Sequence, residues 1–200
     1  YATAAQYEAR RGPYNAWYGS ELLPPLDDPA TEAKLKKLLL DTTDQAIATM
    51  LVNPRPPHNI TQQVYLCANL ADLVLGRGIL SPAEEDSVRA KLAYMAYMLN
   101  WPGYWAPENG AAANPNMSSF TYDGVGLIGL LLSDHPESAT WTKACTTELD
   151  REVANWISKD GGWIESISYT MAAWNEHAMT MAALKQNGIR TVHYVSPSVW

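Results

Sequence analysis

Apolar residues recur at helical spacing along most of this chain, and the pattern predicts an all-α fold. From Thr31 onward they return every three or four positions, as in amphipathic helices that cover a core. Alternation typical of a strand is visible only between Thr191 and Val195. The helical stripes cover Leu35–Met50, Val64–Leu75, Val88–Leu99, Tyr122–Leu132, Trp141–Trp156 and Ser168–Asn187.

Proline and glycine mark where these helices end. The prolines of segment 53–57 remove amide donors after the first stripe, and Gly188 provides a C-terminal stop after the last. The segment Ser81-Pro82-Ala83-Glu84 predicts a helix start, with an N-cap hydroxyl, a proline in the first turn and a capping-box glutamate. Because short and long connections alternate, we expect antiparallel helical hairpins packed side by side. If these hairpins curve into a ring, they form an incomplete α/α toroid with loops gathered at one end.

Length, composition and charge narrow the classes of protein. The 200 residues, 47% of them hydrophobic, suit a single domain with a substantial core. A formal net charge of -7 argues against a nucleic-acid partner, which requires a basic surface. The chain has no apolar run of about 18 residues, so no membrane partner is expected. The oligomeric state is left open.

The cysteines and histidines do not indicate a metal site. Cys67 and Cys145 lie on apolar helical faces, where a buried free thiol is commoner than a disulfide. The four histidines are scattered without the spacing of metal ligands. Neither a phosphate-binding glycine loop nor a serine-nucleophile motif is visible, and we expect no cofactor.

The stretch from Trp101 to Phe120 reads WPGYWAPENGAAANPNMSSF and combines aromatic rings with asparagine amides. We expect a long ordered loop, and loops of this length without a function are uncommon. Flat rings such as Trp101, Tyr104 and Trp105 can stack on sugars, while amides offer a donor and an acceptor to hydroxyls or to a carboxylate. This composition predicts a carbohydrate ligand.

Two short segments carry polar groups suited to a reaction on such a ligand. In Asn114-Pro115-Asn116 the proline fixes the relative direction of two amides, although the same residues are ordinary turn formers. After Asp160-Gly161-Gly162 the chain carries Glu165 and Tyr169 four residues apart, on one side of a helix if that segment is helical. The alternative for this pair is a solvated acid and a half-buried core tyrosine.

Together these segments resemble the heparinase II/III-like polysaccharide lyases and their alginate-lyase relatives, which have an α/α-toroid domain. In that family an asparagine precedes a catalytic tyrosine by some fifty-odd residues, and the tyrosine follows an Asp-Gly, Glu, Tyr pattern. Asn116 and Tyr169 are 53 positions apart. Asp160-Gly161, Glu165 and Tyr169 match the second pattern.

The resemblance extends from about Trp101 to Gly188 and includes Asp134-His135-Pro136, which is similar to an inter-helix segment of the family. One position departs from it. Met117 stands where many members have a histidine, and a thioether exchanges no protons. The β-rich domain that usually follows the toroid is missing, so we expect residues 1–200 to be a fragment of a longer, secreted or periplasmic chain.

The resemblance implies β-elimination in a uronic-acid polysaccharide. Asn116 would neutralise the uronate carboxylate as negative charge develops there, assisted by Asn114 or Glu165. Tyr169 would remove the C5 proton and, where the leaving oxygen lies on the same face, protonate that oxygen. The polymer and the mode of attack are left open.

A phenol has an unperturbed pKa of about 10, so Tyr169 needs a neighbouring cation or hydrogen-bond donor. Arg55 and His58, in the proline-rich segment and just after it, are candidates for this role or for binding substrate carboxylates. Surface charge on a loop is the alternative for both. His177, eight residues after Tyr169, is a further catalytic candidate, and a satisfied core histidine is its alternative.

Two other functions fit the same residues. A glycoside hydrolase on an α/α barrel would use two carboxylates, such as Glu165 with Asp160 or Asp123. A non-catalytic carbohydrate-binding domain would keep the aromatic platforms, while Tyr169 only packs. Lyase activity creates an unsaturated uronate that absorbs ultraviolet light, whereas hydrolysis and binding do not.

Overall fold

The computed structural model describes residues 28–52, 58–101, 115–156, 158 and 167–189. All regular secondary structure in this part of the chain is helical, which confirms the all-α prediction. The helices are α1 (Pro29–Val52), α2 (His58–Val74), α3 (Pro82–Leu99), α4 (Pro115–Leu131), α5 (Ser138–Trp156) and α6 (Ile167–Gln186). The alternating stretch at Thr191 lies outside the described residues.

Local sequence sets several helix ends. The predicted capping box is present at α3, where the Glu84 amide donates to Ser81 Oγ at 3.4 Å and the Ser81 amide donates to Glu84 Oε2 at 2.7 Å. Asp28 caps α1 by accepting a hydrogen bond from the Thr31 amide at 3.1 Å. Gly188 follows α6 with a φ of 67°, a conformation that glycine adopts without steric strain.

The start of α4 differs from the sequence prediction. The apolar stripe predicted a helix from about Tyr122, whereas α4 begins at Pro115. Proline suits a first helical position, and the early turns bury the hydroxyl-bearing Ser118 and Ser119. Apolar spacing does not reveal these two turns, because they bury Ser118, Ser119 and Thr121 beside the apolar Phe120. The predicted loop is therefore shorter, and Asn116 belongs to the first turn of α4.

The buried apolar residues form one main core, with a smaller cluster between α5 and α6. The main core draws on α1 to α4 and on Trp141 of α5, which was predicted to be a core residue and is 1% exposed. The smaller cluster consists of Cys145, Leu149 and Leu184. Cys67 and Cys145 are both buried thiols outside any disulfide, as the sequence predicted.

Helices α4 and α5 pack closely and run antiparallel. A Cβ atom added at Gly126 would lie 2.5 Å from Cys145 Sγ, and one added at Gly129 would lie 3.1 Å from Thr142 Oγ1. Contacts therefore move backward along α5 as they move forward along α4. Glycine at these positions lets the two backbones approach, because any side chain would overlap the facing helix.

Helices α4 and α6 run parallel. Asp123 of α4 bonds to His177 of α6, and about two turns later Leu130 packs against the cluster that includes Leu184. Leu131 and Gln186, at the ends of the two helices, line one groove. Contacts thus advance in the same direction along both helices, and the two N-termini lie at the same end.

Helix α2 is also parallel to α4. The rings of Tyr65 and Phe120 meet edge to face with centroids 5.9 Å apart, and further along both helices Asp72 and Leu131 line the same groove. The N-termini of α2, α4 and α6 therefore lie together at one end of the fold. This end receives the chain segments in which the sequence places most of the candidate site residues.

Helices α1 and α3 form a second parallel pair. Lys36 bonds to Glu84 at 2.6 Å, and Lys91 bonds to Asp44 at 2.5 Å, so the contacts advance together along both helices. Both ion pairs are partly exposed, and such pairs contribute little to stability because solvent screens their charges. Their alignment shows the packing direction more than it stabilises the fold.

The glycines of α4 offer a direct test of the α4–α5 packing. We expect Gly126→Ala to reduce the free energy of unfolding by about 1–3 kcal/mol, because its Cβ would overlap Cys145. Gly124→Ala is the matched control, since its Cβ would meet Tyr65 at an ordinary 3.4 Å. Alanine favours a helix by about 1 kcal/mol over glycine, so the control should be neutral or stabilised. Urea denaturation of both variants measures the difference, and equal effects would contradict the packing.

Candidate functional site

The two residues at the centre of the sequence prediction lie on adjacent parallel helices. Asn116 is in the first turn of α4, and Tyr169 is in the first turn of α6. His58 begins α2, whose N-terminus is at the same end. The side chains of these three residues lie outside the described part of the structure. Also outside it are Arg55, Tyr104, Trp105, Asn114 and Glu165.

Trp101 is the one predicted sugar platform whose side chain is described. It lies directly after α3 and its surface is 48% exposed. A large apolar side chain exposed in this way is available to stack on a ligand. The prediction for Trp101 is compatible with its position, although no contact with the other predicted residues is described.

Two turns beyond Asn116 and Tyr169, the facing helices bury a group of polar side chains. His177 of α6 lies between Asp123 of α4 and Glu152 of α5, with Nδ1 to Oδ2 and Nε2 to Oε2 distances of 2.8 Å each. Ser119 Oγ donates to Glu152 Oε2 at 2.9 Å. We call Ser119, Asp123, Glu152 and His177 the buried ionic cluster. It joins three helices at one point.

The geometry of the buried ionic cluster favours a charged histidine. Each ring nitrogen faces a carboxylate oxygen at hydrogen-bonding distance, and an imidazolium can donate to both oxygens at once. Burial by itself lowers the pKa of His177, because it disfavours the charged form. The charges and hydrogen bonds of Asp123 and Glu152 outweigh this effect and raise the pKa to about 10.

Glu152 experiences the opposite balance. Burial raises its pKa above the usual value, and the hydrogen bond and charge of His177 oppose that shift. Its second oxygen, Oε1, is buried and has no hydrogen-bond partner.

Ser119, His177 and Asp123 have the outward form of a nucleophilic triad. Ser119 Oγ lies 3.3 Å from His177 Nε2, and Asp123 binds the other ring nitrogen. The arrangement does not activate the serine, because Nε2 already donates its hydrogen to Glu152 and has no lone pair to accept a proton. Ser119 is also only 1% exposed, which excludes substrate.

Burial also bears on two sequence predictions. His177 was predicted to be catalytic, but it is 6% exposed and both of its nitrogens are engaged, so this geometry favours a positioning role over contact with substrate. Asp123 was one carboxylate of the alternative hydrolase. It is 0% exposed and bonded to His177, which leaves Glu165 and Asp160, both outside the described residues, as the acids of that alternative.

The sequence analysis missed the buried ionic cluster, although a signal was present. Glu152 falls on the apolar stripe of α5, one turn after Leu149 and one turn before Trp156. Asp123 and His177 likewise fall within the predicted helices around apolar neighbours. Charged residues on core faces of different helices must be paired, since an unpaired buried charge is prohibitively costly. This rule predicts a buried ionic group, but not its members' partners.

A separate ion pair lies one turn earlier on α5. Arg151 Nε donates to both carboxylate oxygens of Glu148, at 2.8 and 2.9 Å. The neighbouring Tyr122 of α4 is not an alternative base, because burial and the Glu148 charge raise the pKa of its phenol. Glu148 and Arg151 do not belong to the buried ionic cluster. A variant of Glu148 can therefore serve as the control for a variant of the cluster.

Among the described residues, no group of three or more histidine, cysteine, aspartate or glutamate side chains is arranged to hold a metal ion. The carboxylates of the buried ionic cluster face different nitrogens of one ring rather than a common centre. None of the described helices is long and apolar enough to cross a membrane.

Comparisons with protein-family models, with curated proteins and with solved structures give no match to this chain.

The charge state of His177 can be measured directly. We expect nitrogen chemical shifts from NMR to show a doubly protonated ring at pH 7, with titration near pH 10. Because the folded pKa of His177 exceeds its unfolded value, the stability contributed by its charge is complete below about pH 6.5 and declines as pH rises toward 10. The His177→Gln variant identifies the resonance. A neutral ring at pH 7 would contradict the assignment.

Proposed function

We propose that this chain is a polysaccharide lyase domain that cleaves a uronic-acid polysaccharide by β-elimination. The observation that carries the proposal is the parallel alignment of α4 and α6, which brings the positions of Asn116 and Tyr169 to one end of the fold. The sequence separates these residues by 53 positions, so only the fold can bring them together. Tyr169 would be the base and acid, and Asn116 the group that neutralises the substrate carboxylate.

The buried ionic cluster supports the inference that positions 116 and 169 lie at a similar height along α4 and α6. Asp123 and His177 are in direct contact, and Asn116 and Tyr169 precede them by seven and eight residues. At a rise of 1.5 Å per residue, each lies about 10–12 Å back along its own helix. Since neighbouring helix axes are about 8–10 Å apart, a sugar ring fits between groups on the two first turns.

The helix N-termini also favour the chemistry of an acidic substrate. Each helix N-terminus carries roughly half a positive charge from its aligned peptide dipoles, and unpaired backbone amides point outward there. Three N-termini lie at this end of the fold. A uronate carboxylate and an ionised Tyr169 would both gain from this field. Arg55 and His58, which lead into α2, would add positive charge at the same end.

The proposed reaction depends mainly on two residues, Tyr169 and Asn116. The Tyr169 phenolate takes the C5 proton, and the electrons of that bond form the C4–C5 double bond as the C4–O4 bond breaks. Charge that develops on the uronate carboxylate is held by the Asn116 amide, with Asn114 or Glu165 assisting. The leaving O4 oxygen then takes a proton from the Tyr169 phenol, which restores the phenolate.

The helix directions favour the α/α toroid as the architecture of this domain. Parallel α2, α4 and α6 would form the inner row, and α1, α3 and α5 the outer row, each outer helix preceding its inner partner in sequence. The aromatic segment with Trp101, Tyr104 and Trp105 would then border the cleft at the N-terminal end of the inner row. An acidic polysaccharide is the partner that this arrangement suits, in a secreted or periplasmic setting.

Replacement of the proposed base is the first test. We expect Tyr169→Phe to abolish the rise in ultraviolet absorbance on uronate polymers, because phenylalanine keeps the ring but carries no proton-transfer group. Sugar binding, measured by calorimetry, should remain nearly unchanged. Tyr97→Phe is the matched control, since Tyr97 is an exposed tyrosine of α3 that packs by its ring. Full activity of Tyr169→Phe would refute the proposed base.

Replacement of the proposed neutralising amide is the second test. We expect Asn116→Ala to lower kcat by about 100-fold to 1,000-fold, the range seen when one donor to a developing anion is removed. The exposed Asn155, whose amide donates only to the Arg151 carbonyl of its own helix, provides the control variant Asn155→Ala. Initial rates at saturating substrate measure the effect. Equal rates for both variants would exclude Asn116 from the reaction.

A further inference from the structure

We propose that the buried ionic cluster is a positioning device that fixes the register of α4 against α6 and so sets the separation between residues 116 and 169. Its catalytic consequence rests on the proposed function. The cluster's members are Ser119, Asp123, Glu152 and His177, of which Asp123 and His177 were candidates from the sequence. None of them needs to touch the substrate to act in this way.

From residue 177 of α6 onward, where its side chains are described, the remaining α4–α6 contacts do not define a register by themselves. In this part the two helices meet through apolar or small side chains, among them Leu127, Leu130 and Ala183. Apolar contacts are non-directional and tolerate a shift along the helix axis. Hydrogen bonds between charged groups at 2.8 Å are directional and lose most of their strength when an atom moves by an ångström.

Helix α5 contributes the carboxylate that joins α4 to α6. Glu152 Oε2 accepts both from His177 of α6, at 2.8 Å, and from Ser119 of α4, at 2.9 Å. Ser119 lies one turn after Asn116, between it and Asp123. The close approach at Gly126 holds α5 against α4. The Glu152 carboxylate therefore bonds both α4 and α6 to the same helix, α5, whose position is already set.

Small errors in position have large effects on a reaction of this kind. A shift of one residue along a helix moves each later group by 1.5 Å, and a misplacement of about 1 Å can lower a rate by about 100-fold. Loss of the cluster's geometry should therefore affect kcat more than KM. A residue with a purely structural role would instead lower the amount of folded protein and leave both constants of the folded fraction unchanged.

Glu152→Gln tests the device with little change in shape. We expect kcat on the uronate polymer to fall by about 10–100-fold, with KM altered by no more than about 3-fold. Glu148→Gln is the matched control, because it makes the same change one turn earlier on α5, outside the cluster, and should leave both constants near wild type. If Glu152→Gln does not fold, Ser119→Ala removes the hydroxyl that bonds to Glu152 while retaining every charge, and we expect a fall in kcat in the same direction.

Hydrogen exchange gives a readout that does not depend on activity. We expect backbone amides in the second and third turns of α4 and α6 to exchange at least about 10-fold faster in Glu152→Gln than in Glu148→Gln, with α1 and α3 unchanged. Unchanged exchange in those turns would overturn the positioning role, as would a wild-type kcat in Glu152→Gln. If the wild-type protein cleaves no uronate polymer, the proposed function fails, and the exchange result alone decides whether the cluster sets the register.

Discussion

A protonated histidine held between two carboxylates is the interaction on which the arrangement of α4, α5 and α6 depends. Each of the three helices contributes one charge, and none of these charges could remain buried without the others. Removal of a single member of such a group costs about 3–5 kcal/mol, whereas an apolar replacement of the whole group can be neutral. The cluster therefore contributes specificity of helix register more than net stability.

Close packing between α4 and α5 supplies the second constraint. Gly126 and Gly129 let the α4 backbone approach Cys145 and Thr142 so closely that α4 has little freedom to shift. Helix α6 is then tied to this rigid pair through His177. A separation of tasks follows, in which the buried middle of the helices fixes their register and their first turns carry the proposed chemistry. Sites supported by rigid elements are more precise than sites on loops.

The sequence predicted the features that local rules determine. Apolar spacing identified the helices, and the segment from Ser81 to Glu84 identified a capping box that the structure contains. The start of α4 at Pro115 was not predicted, because its first turns bury polar residues such as Ser118 and Ser119. The hydrogen bond between Asp123 and His177 was also not predicted. The two residues lie 54 positions apart, and their contact depends on how α4 packs against α6. Buried charge is visible in a sequence, but its partner is a property of the fold.

In the proposed reaction, Met117 restricts how protons can move, because it stands where many of the lyases that this chain resembles have a histidine. His177 is not a substitute for that histidine, because both of its ring nitrogens donate to carboxylates and neither has a free lone pair. Proton removal and proton return would then both fall to Tyr169, with its ionisation favoured by the α6 N-terminus and by a cation such as Arg55. A single group that performs both transfers requires the C5 hydrogen and the leaving oxygen to lie on the same face of the sugar. The stereochemistry of the cleaved linkage would therefore follow from this assignment, and it would limit the polymers that the proposed site accepts.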